Sequence, residues 1–170
     1  MPLYVVHVKS PEEHKFLAWI QKRPDSQPLR LHRLQRELSI RRKGKVRKER
    51  KPIFPGYIVV DTPELTAEQR LLIRQAPAFL NFLKSNQDIR PLTSDDERLV
   101  RRLMTFGDIA KASRITFDEN QRIKVLEGPL EGLEGQIRKV DKRKKRVKVE
   151  LDLYEKSFLV DLAIEDVGKV

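Results

Sequence analysis

The chain has 170 residues, no cysteine and a formal net charge of +11. That length holds one ordinary domain plus a small one, and the missing cysteines exclude a disulfide framework, a thiolate metal site and a thiol nucleophile. No apolar run approaches the ~20 residues that cross a bilayer. Met1-Pro2 leads toward a strand rather than through a secretion signal, so a cytoplasmic protein with no membrane partner is expected.

Tyr4 to Val8 reads as a short β-rich strand. Ser10-Pro11-Glu12-Glu13 then reads as a helix start, with Ser10 as N-cap, Pro11 at the first helical position and Glu13 as the capping-box partner. The helix runs to about Arg23 with Phe16, Leu17 and Ile20 on its apolar face, and Pro24 and Pro28 close it. His14 and Trp19 on this helix are packing or surface residues.

From Leu29 to Lys51 the pattern turns extended and basic. Leu31 to Leu38 also fits a helix, so both readings stay open. Arg42-Lys43-Gly44-Lys45 carries the turn chemistry of a hairpin tip. Between Arg30 and Lys51 eleven Lys and Arg face two Glu, a local net of +9. Ile53 to Val60 is a buried strand. Thr66-Ala67-Glu68-Gln69 opens a second helix with a capping box, Phe79 to Leu83 is a closing strand, and Ser94-Asp95-Asp96-Glu97 starts a third helix bearing Leu99, Val100, Leu103 and Met104. Residues 107–119 lack periodicity and read as a linker between a domain at 1–106 and one at 120–170.

The second domain reads as five short strands: Arg122 to Leu126, Gln136 to Val140, Val147 to Leu153, Phe158 to Leu162 and a stub at Ile164 to Val167. Its core candidates are Leu133, Ile137, Val149, Leu151 and Phe158. The connector after the first strand, Gly128-Pro129-Leu130-Glu131-Gly132-Leu133-Glu134-Gly135, is punctuated by glycine. Between Arg138 and Lys148 eight basic residues face only Asp141, a local net of +7, so the rest of the chain is slightly acidic. Two basic fingers on an acidic body point to placed binding sites for phosphate backbones. The plainer alternative is a pair of solvated hairpin tips.

Enzyme chemistry finds little support. The chain has no nucleophile elbow, P-loop or GxGxxG pattern, and His7, His14 and His32 fall on separate elements. The carboxylates cluster at helix starts, where capping accounts for them. Neither a metal nor a cofactor is expected.

Two signatures carry a family resemblance. The stretch Ile123 to Val140, with its basic loop and following strand, resembles the KOW motif, and Phe54-Pro55-Gly56-Tyr57 resembles the FPGY element of the NusG N-terminal (NGN) domain. The order of opening strand, helix, basic hairpin, FPGY strand, helix, linker and KOW matches the NusG family over nearly the whole chain. The resemblance implies an α+β protein: an antiparallel-sheet NGN domain with flanking helices, then a small five-stranded β-barrel.

It further implies a monomeric, non-enzymatic elongation factor whose Tyr4, Phe54, Pro55, Gly56 and Tyr57 line an apolar patch on the open sheet face, gripping the clamp helices of RNA polymerase. Leu3-Tyr4 replaces the family's usual Trp-Tyr. Phe82 to Asn86 and Asp152 to Asp161 resemble the LoaP branch, which promotes processive antitermination through a leader RNA hairpin. On that reading Arg138, Lys139, Lys142, Arg143, Lys144, Lys145, Arg146 and Lys148 are the candidates for binding structured nascent RNA. Strand alternation keeps all eight from meeting one ligand. Arg41, Arg42, Lys43 and Lys45 are candidates for upstream or non-template DNA. The alternatives are a general NusG factor whose KOW domain recruits Rho or a ribosomal protein, and a ribosome-associated KOW protein.

Overall fold

A computed structural model describes residues 2–23 and 29–168. In chain order the elements are β1 (Leu3–Val8), α1 (Glu13–Gln21), β2 (Arg30–His32), β3 (Gln35–Arg42) and β4 (Lys45–Pro52). Next come β5 (Tyr57–Asp61), α2 (Ala67–Gln75), β6 (Phe79–Phe82) and α3 (Ser94–Leu103). The remainder is β: β7 (Ile109–Ala110), β8 (Ser113–Phe117), β9 (Ile123–Glu127), β10 (Ile137–Asp141), β11 (Arg146–Leu153) and β12 (Lys156–Asp166). The chain is therefore α+β, in two units: Met1–Leu34 with Phe54–Leu99, and Gln35–Ile53 with Val100–Val170.

The first unit is built on a four-stranded sheet ordered β2-β5-β1-β6. Alternation sorts its side chains by face. Val6, Val8, Ile58 and Val60 meet Phe16 and Ile20 of α1, Ile73 of α2 and Phe82 in one buried cluster. Leu3, Val5 and Val59 point the other way and are also buried.

Helix α2 begins as expected. Thr66 Oγ1 accepts from the Gln69 amide, and the Gln69 side chain accepts from the Thr66 amide. Helix α1 does not. Its N-cap is Glu12, without a side-chain cap, so Ser10 and Pro11 precede the helix, and Glu13, its first residue, is turned into the interior with Oε2 3.8 Å from Arg33 Nη2. A carboxylate drawn inward by a guanidinium cannot reach back to cap. Pro24 and Pro28 lie outside the described residues. Helix α3 is capped one residue earlier than expected, by Thr93, whose Oγ1 accepts from the Asp96 amide.

The second unit holds a five-stranded sheet ordered β10-β11-β12-β8-β9 and a three-stranded one ordered β4-β3-β7. Val147, Val149, Leu151 and Leu153 of β11 and Val160, Leu162 and Ile164 of β12 are buried at alternate positions. Of the expected core residues, Leu133, Val149 and Leu151 are buried, while Ile137 and Phe158 are half-buried.

Three expectations change here. Residues 107–119 contain β7 and β8, and β8 runs parallel to β12 with Ser113 opposite Ile164. A short strand whose partner lies about fifty residues on leaves no local turn to announce it. The two expected C-terminal strands are one, since Ala163 continues the ladder opposite Arg146. The basic hairpin, expected within 1–106, belongs to the second unit. Its strands are extended throughout, so the helical option for Leu31 to Leu38 is excluded.

Candidate functional site

Phe54-Pro55-Gly56-Tyr57 forms a tight turn in which the Tyr57 amide donates to the Phe54 carbonyl at 3.0 Å. Proline at the second position and a glycine with φ +81° at the third are the requirements of a type II turn. Gly56 also lies against β1: its carbonyl accepts from the Val8 amide at 2.7 Å, and a Cβ there would sit 2.7 Å from the Val8 oxygen. The turn delays the strand, which starts at Tyr57 rather than Ile53.

The turn separates the expected docking residues. Phe54 is a core residue, 3% exposed, while Pro55 is exposed and Tyr57 half-buried. The Tyr57 ring meets the edge of His7 at a centroid distance of 5.4 Å, and His7 Nδ1 lies 3.3 Å from Asn81 Oδ1. Partial burial pushes the Tyr57 phenol above its ordinary pKa. Tyr4 is opposite Val60, packed on the helix-covered side against the main cluster. Phe54, Pro55, Gly56, Tyr57 and Tyr4 therefore do not form one patch. Pro55 is the exposed member, and the half-buried Tyr57 stands beside His7, which in turn meets Asn81.

In the second unit, strands β10 and β11 are joined by Lys142 to Lys145, with Asp141 opposite Arg146. Asp141 Oδ1 accepts from the Lys144 amide at 2.9 Å, closing the loop locally. That hydrogen bond, then the charges of Lys144, Lys139 and Arg146, hold the Asp141 carboxyl below its ordinary pKa. Lys142 Nζ donates to Gln121 Oε1 at 3.0 Å and sits 4.3 Å from the Phe117 ring centroid.

The eight candidate cations divide by partner. Arg138 is engaged by Glu150 at 2.7 Å and by the Gly135 carbonyl at 2.9 Å. Arg146 pairs with Asp161 at 3.7 Å and donates to the Ser39 carbonyl at 3.4 Å. Lys139, Arg143, Lys144, Lys145 and Lys148 are exposed and form no salt bridge among the described residues. Lys139 stands directly opposite Lys148 in the ladder. Like charges in that position repel; Asp161 stands opposite Lys148 on its other side but is paired with Arg146, so an external anion would relieve the pair further. Phe117, Gln121, Glu150 and Asp161, which position these cations, were beyond sequence reasoning: Glu150 and Asp161 come near through strand pairing, and Phe117 and Gln121 through β8 and its turn, which pair with neither β10 nor β11.

The hairpin β3–β4 is a two-stranded arm closed at Lys43-Gly44, with φ of +50° and +74°, a type I′ turn. Leu38 is buried, and every residue from Arg41 to Lys48 is exposed. Glu37 pairs with Lys48 and Arg50, and Glu49 with Arg42. Arg41, Lys43, Lys45 and Arg47 have no acidic partner among the described residues. At its base Arg36 Nη1 donates to the Pro52 carbonyl at 2.6 Å. Burial chiefly, with the charge of Arg146, lowers the Arg36 pKa, and Asp161 opposes this.

Among the described residues, no group of three His, Asp or Glu side chains is placed to hold a metal, and no helix is long and apolar enough to cross a membrane. The NusG family model, described as transcription termination factor nusG, matches residues 1–102. The chain is 27% identical to the transcription termination/antitermination protein NusG of Bacillus subtilis (strain 168), over 98% of this chain and 97% of that one. It is 30% identical to the NusG of Pasteurella multocida (strain Pm70), over 74% and 69% of the respective chains. A solved structure described as "Domain interaction in Thermotoga maritima NusG" superposes with a TM-score of 0.58 at 23% identity, covering 95% of this chain and 93% of that one. This chain belongs to the NusG family and is a NusG-type transcription termination/antitermination factor.

Proposed function

We propose that this protein is a LoaP-like antitermination factor, acting as a monomer, whose first unit docks on the clamp helices of RNA polymerase and whose second unit binds a structured leader RNA. The observation that carries the RNA half is the apposition of Lys139 and Lys148 below a loop whose Arg143, Lys144 and Lys145 lack ion-pair partners. Such a surface is stabilised by phosphates, and a thin basic ribbon suits a loop, bulge or distorted stem better than a regular A-form groove. On the first unit the exposed Pro55 and the half-buried Tyr57 supply the contact, while Phe54 and Gly56 fix the turn that presents them. Preferential binding to the closed clamp would disfavour the paused state. Joining two weak contacts in one chain raises the local concentration of each partner.

A second reading keeps the family and changes the partner of the second unit. Leu159 of β12 is 64% exposed, which supports a protein contact such as Rho or a ribosomal protein in a general NusG factor. Single-round transcription through a terminator, with and without a folded leader upstream, separates the two. RNA-dependent read-through, lost when Arg143, Lys144 and Lys145 become Gln, supports the first reading; read-through indifferent to leader and loop overturns it.

A further inference from the structure

The basic arm β3–β4 and the basic loop β10–β11, about a hundred residues apart in sequence, belong to one structural unit. Arg146, the residue after the loop, links them directly: its guanidinium pairs with Asp161 of β12 and donates to the Ser39 carbonyl of β3. Ser39 lies four residues from Lys43 at the arm's turn, about 13 Å along a strand. Lys145 adjoins Arg146 in sequence. The two clusters of unpartnered cations, Arg41, Lys43, Lys45 and Arg47 on the arm and Arg143, Lys144 and Lys145 on the loop, therefore flank one contact.

Both elements share a second peculiarity. Arg42 stands opposite Lys45 beside the arm's turn, as Lys139 stands opposite Lys148 below the loop. An anion between the strands would relieve the Lys139–Lys148 pairing, whereas Arg42 already meets Glu49 at 3.7 Å. Arg36 lies near enough to Asp161 and Arg146 for their charges to act on it, while the ion pair at the junction is that of Arg146 with Asp161.

We propose that the arm and the loop are two halves of one site for a folded RNA hairpin, the β10–β11 loop meeting its distorted or looped part and the arm the phosphates of the adjoining stem. This rests on the RNA reading above and extends it from the loop to the arm. Domains that read RNA duplexes by shape cover about 16 base pairs, and phosphate contacts position such a ligand without reading its bases.

The test uses the full chain and two probes, an RNA hairpin with a stem of about 16 base pairs and a DNA duplex of the same length. Fluorescence anisotropy gives Kd across a salt series for three proteins: the unaltered chain, a tip variant (Lys43→Gln with Lys45→Gln) and a loop variant (Arg143→Gln, Lys144→Gln, Lys145→Gln). The substituted side chains are exposed, and thermal melting checks that each variant folds. The expected result is that both variants lose RNA affinity, the tip variant by about tenfold at low salt, each with a shallower salt slope by about one unit per contact removed. Unchanged RNA binding by the tip variant, with loss in the loop variant, overturns the shared site and leaves the loop's role intact. A tip variant weakened on DNA alone also overturns it, assigning the arm to DNA. Unchanged RNA binding by the loop variant removes the RNA reading and this extension together.

Discussion

Tyr4 and Tyr57 lie on opposite faces of the same sheet: Tyr4 is paired with Val60 over the helix-packed core, and Tyr57 with His7 on the other side. Substitutions at the two positions should therefore act by different routes. Tyr57→Ala should weaken capture of RNA polymerase severalfold at a stability cost of about 1 kcal/mol, the lost edge contact with His7. Tyr4→Ala should cost about 1–3 kcal/mol through lost packing and leave the affinity of the folded fraction unchanged. Pull-down and thermal melting on both variants check the split.

Gly56 is held at φ +81° with no space for a Cβ beside the Val8 carbonyl. Gly56→Ala combines the left-handed penalty of about 1–2 kcal/mol with a backbone clash, and should lower the melting temperature by several degrees, at about 2–4 °C per kcal/mol. Gly44, at φ +74° with nothing within 4 Å, carries the first penalty only. Gly44→Ala should therefore be the milder of the two.

Arg138 is committed to Glu150, and both side chains are partly exposed. Removing a surface pair of this kind costs about 0–1 kcal/mol, less at high salt. Arg138→Gln should change RNA affinity less than Lys139→Gln, which deletes a cation free to meet phosphate. Binding curves for the two single variants in one buffer decide the order.

Asp141 titrates below its ordinary value of 3.8 because it accepts from the Lys144 amide and is surrounded by Lys144, Lys139 and Arg146. A carboxylate depressed in the folded chain contributes order that is complete above its ordinary value and lost as pH falls through the lowered one. The Lys144 amide resonance should accordingly hold its folded position down to about pH 4 and shift only below it. A midpoint at or above 3.8 would contradict the hydrogen bond's role.

Local chemistry was the legible part of this protein. The Lys43-Gly44 turn and the Thr66–Gln69 box are each encoded within four residues, and each was found where the sequence placed it, whereas the Phe54–Tyr57 turn took the first residues of the strand expected from Ile53. What needed register was hidden. Ser113 and Gly128 come together because β8 lies beside β12 and β9, a relation with no local signal. The same holds for the candidate site: the charges of Arg138 and Arg146 were visible, but their capture by Glu150 and Asp161 depends on which strand lies alongside. Alternation alone separates Tyr4 from Val5, yet placing Tyr57 on the face opposite Tyr4 required the β1–β5 pairing.

The most direct measurement is the salt dependence of binding between the unaltered chain and an RNA hairpin. Lys139, Arg143, Lys144, Lys145 and Lys148 are the cations available at the loop and its flanks, and each phosphate met contributes slightly less than one unit of slope. The account predicts a fall in log K with log salt of at least about three units. A slope near zero, or no binding at low salt, would contradict it.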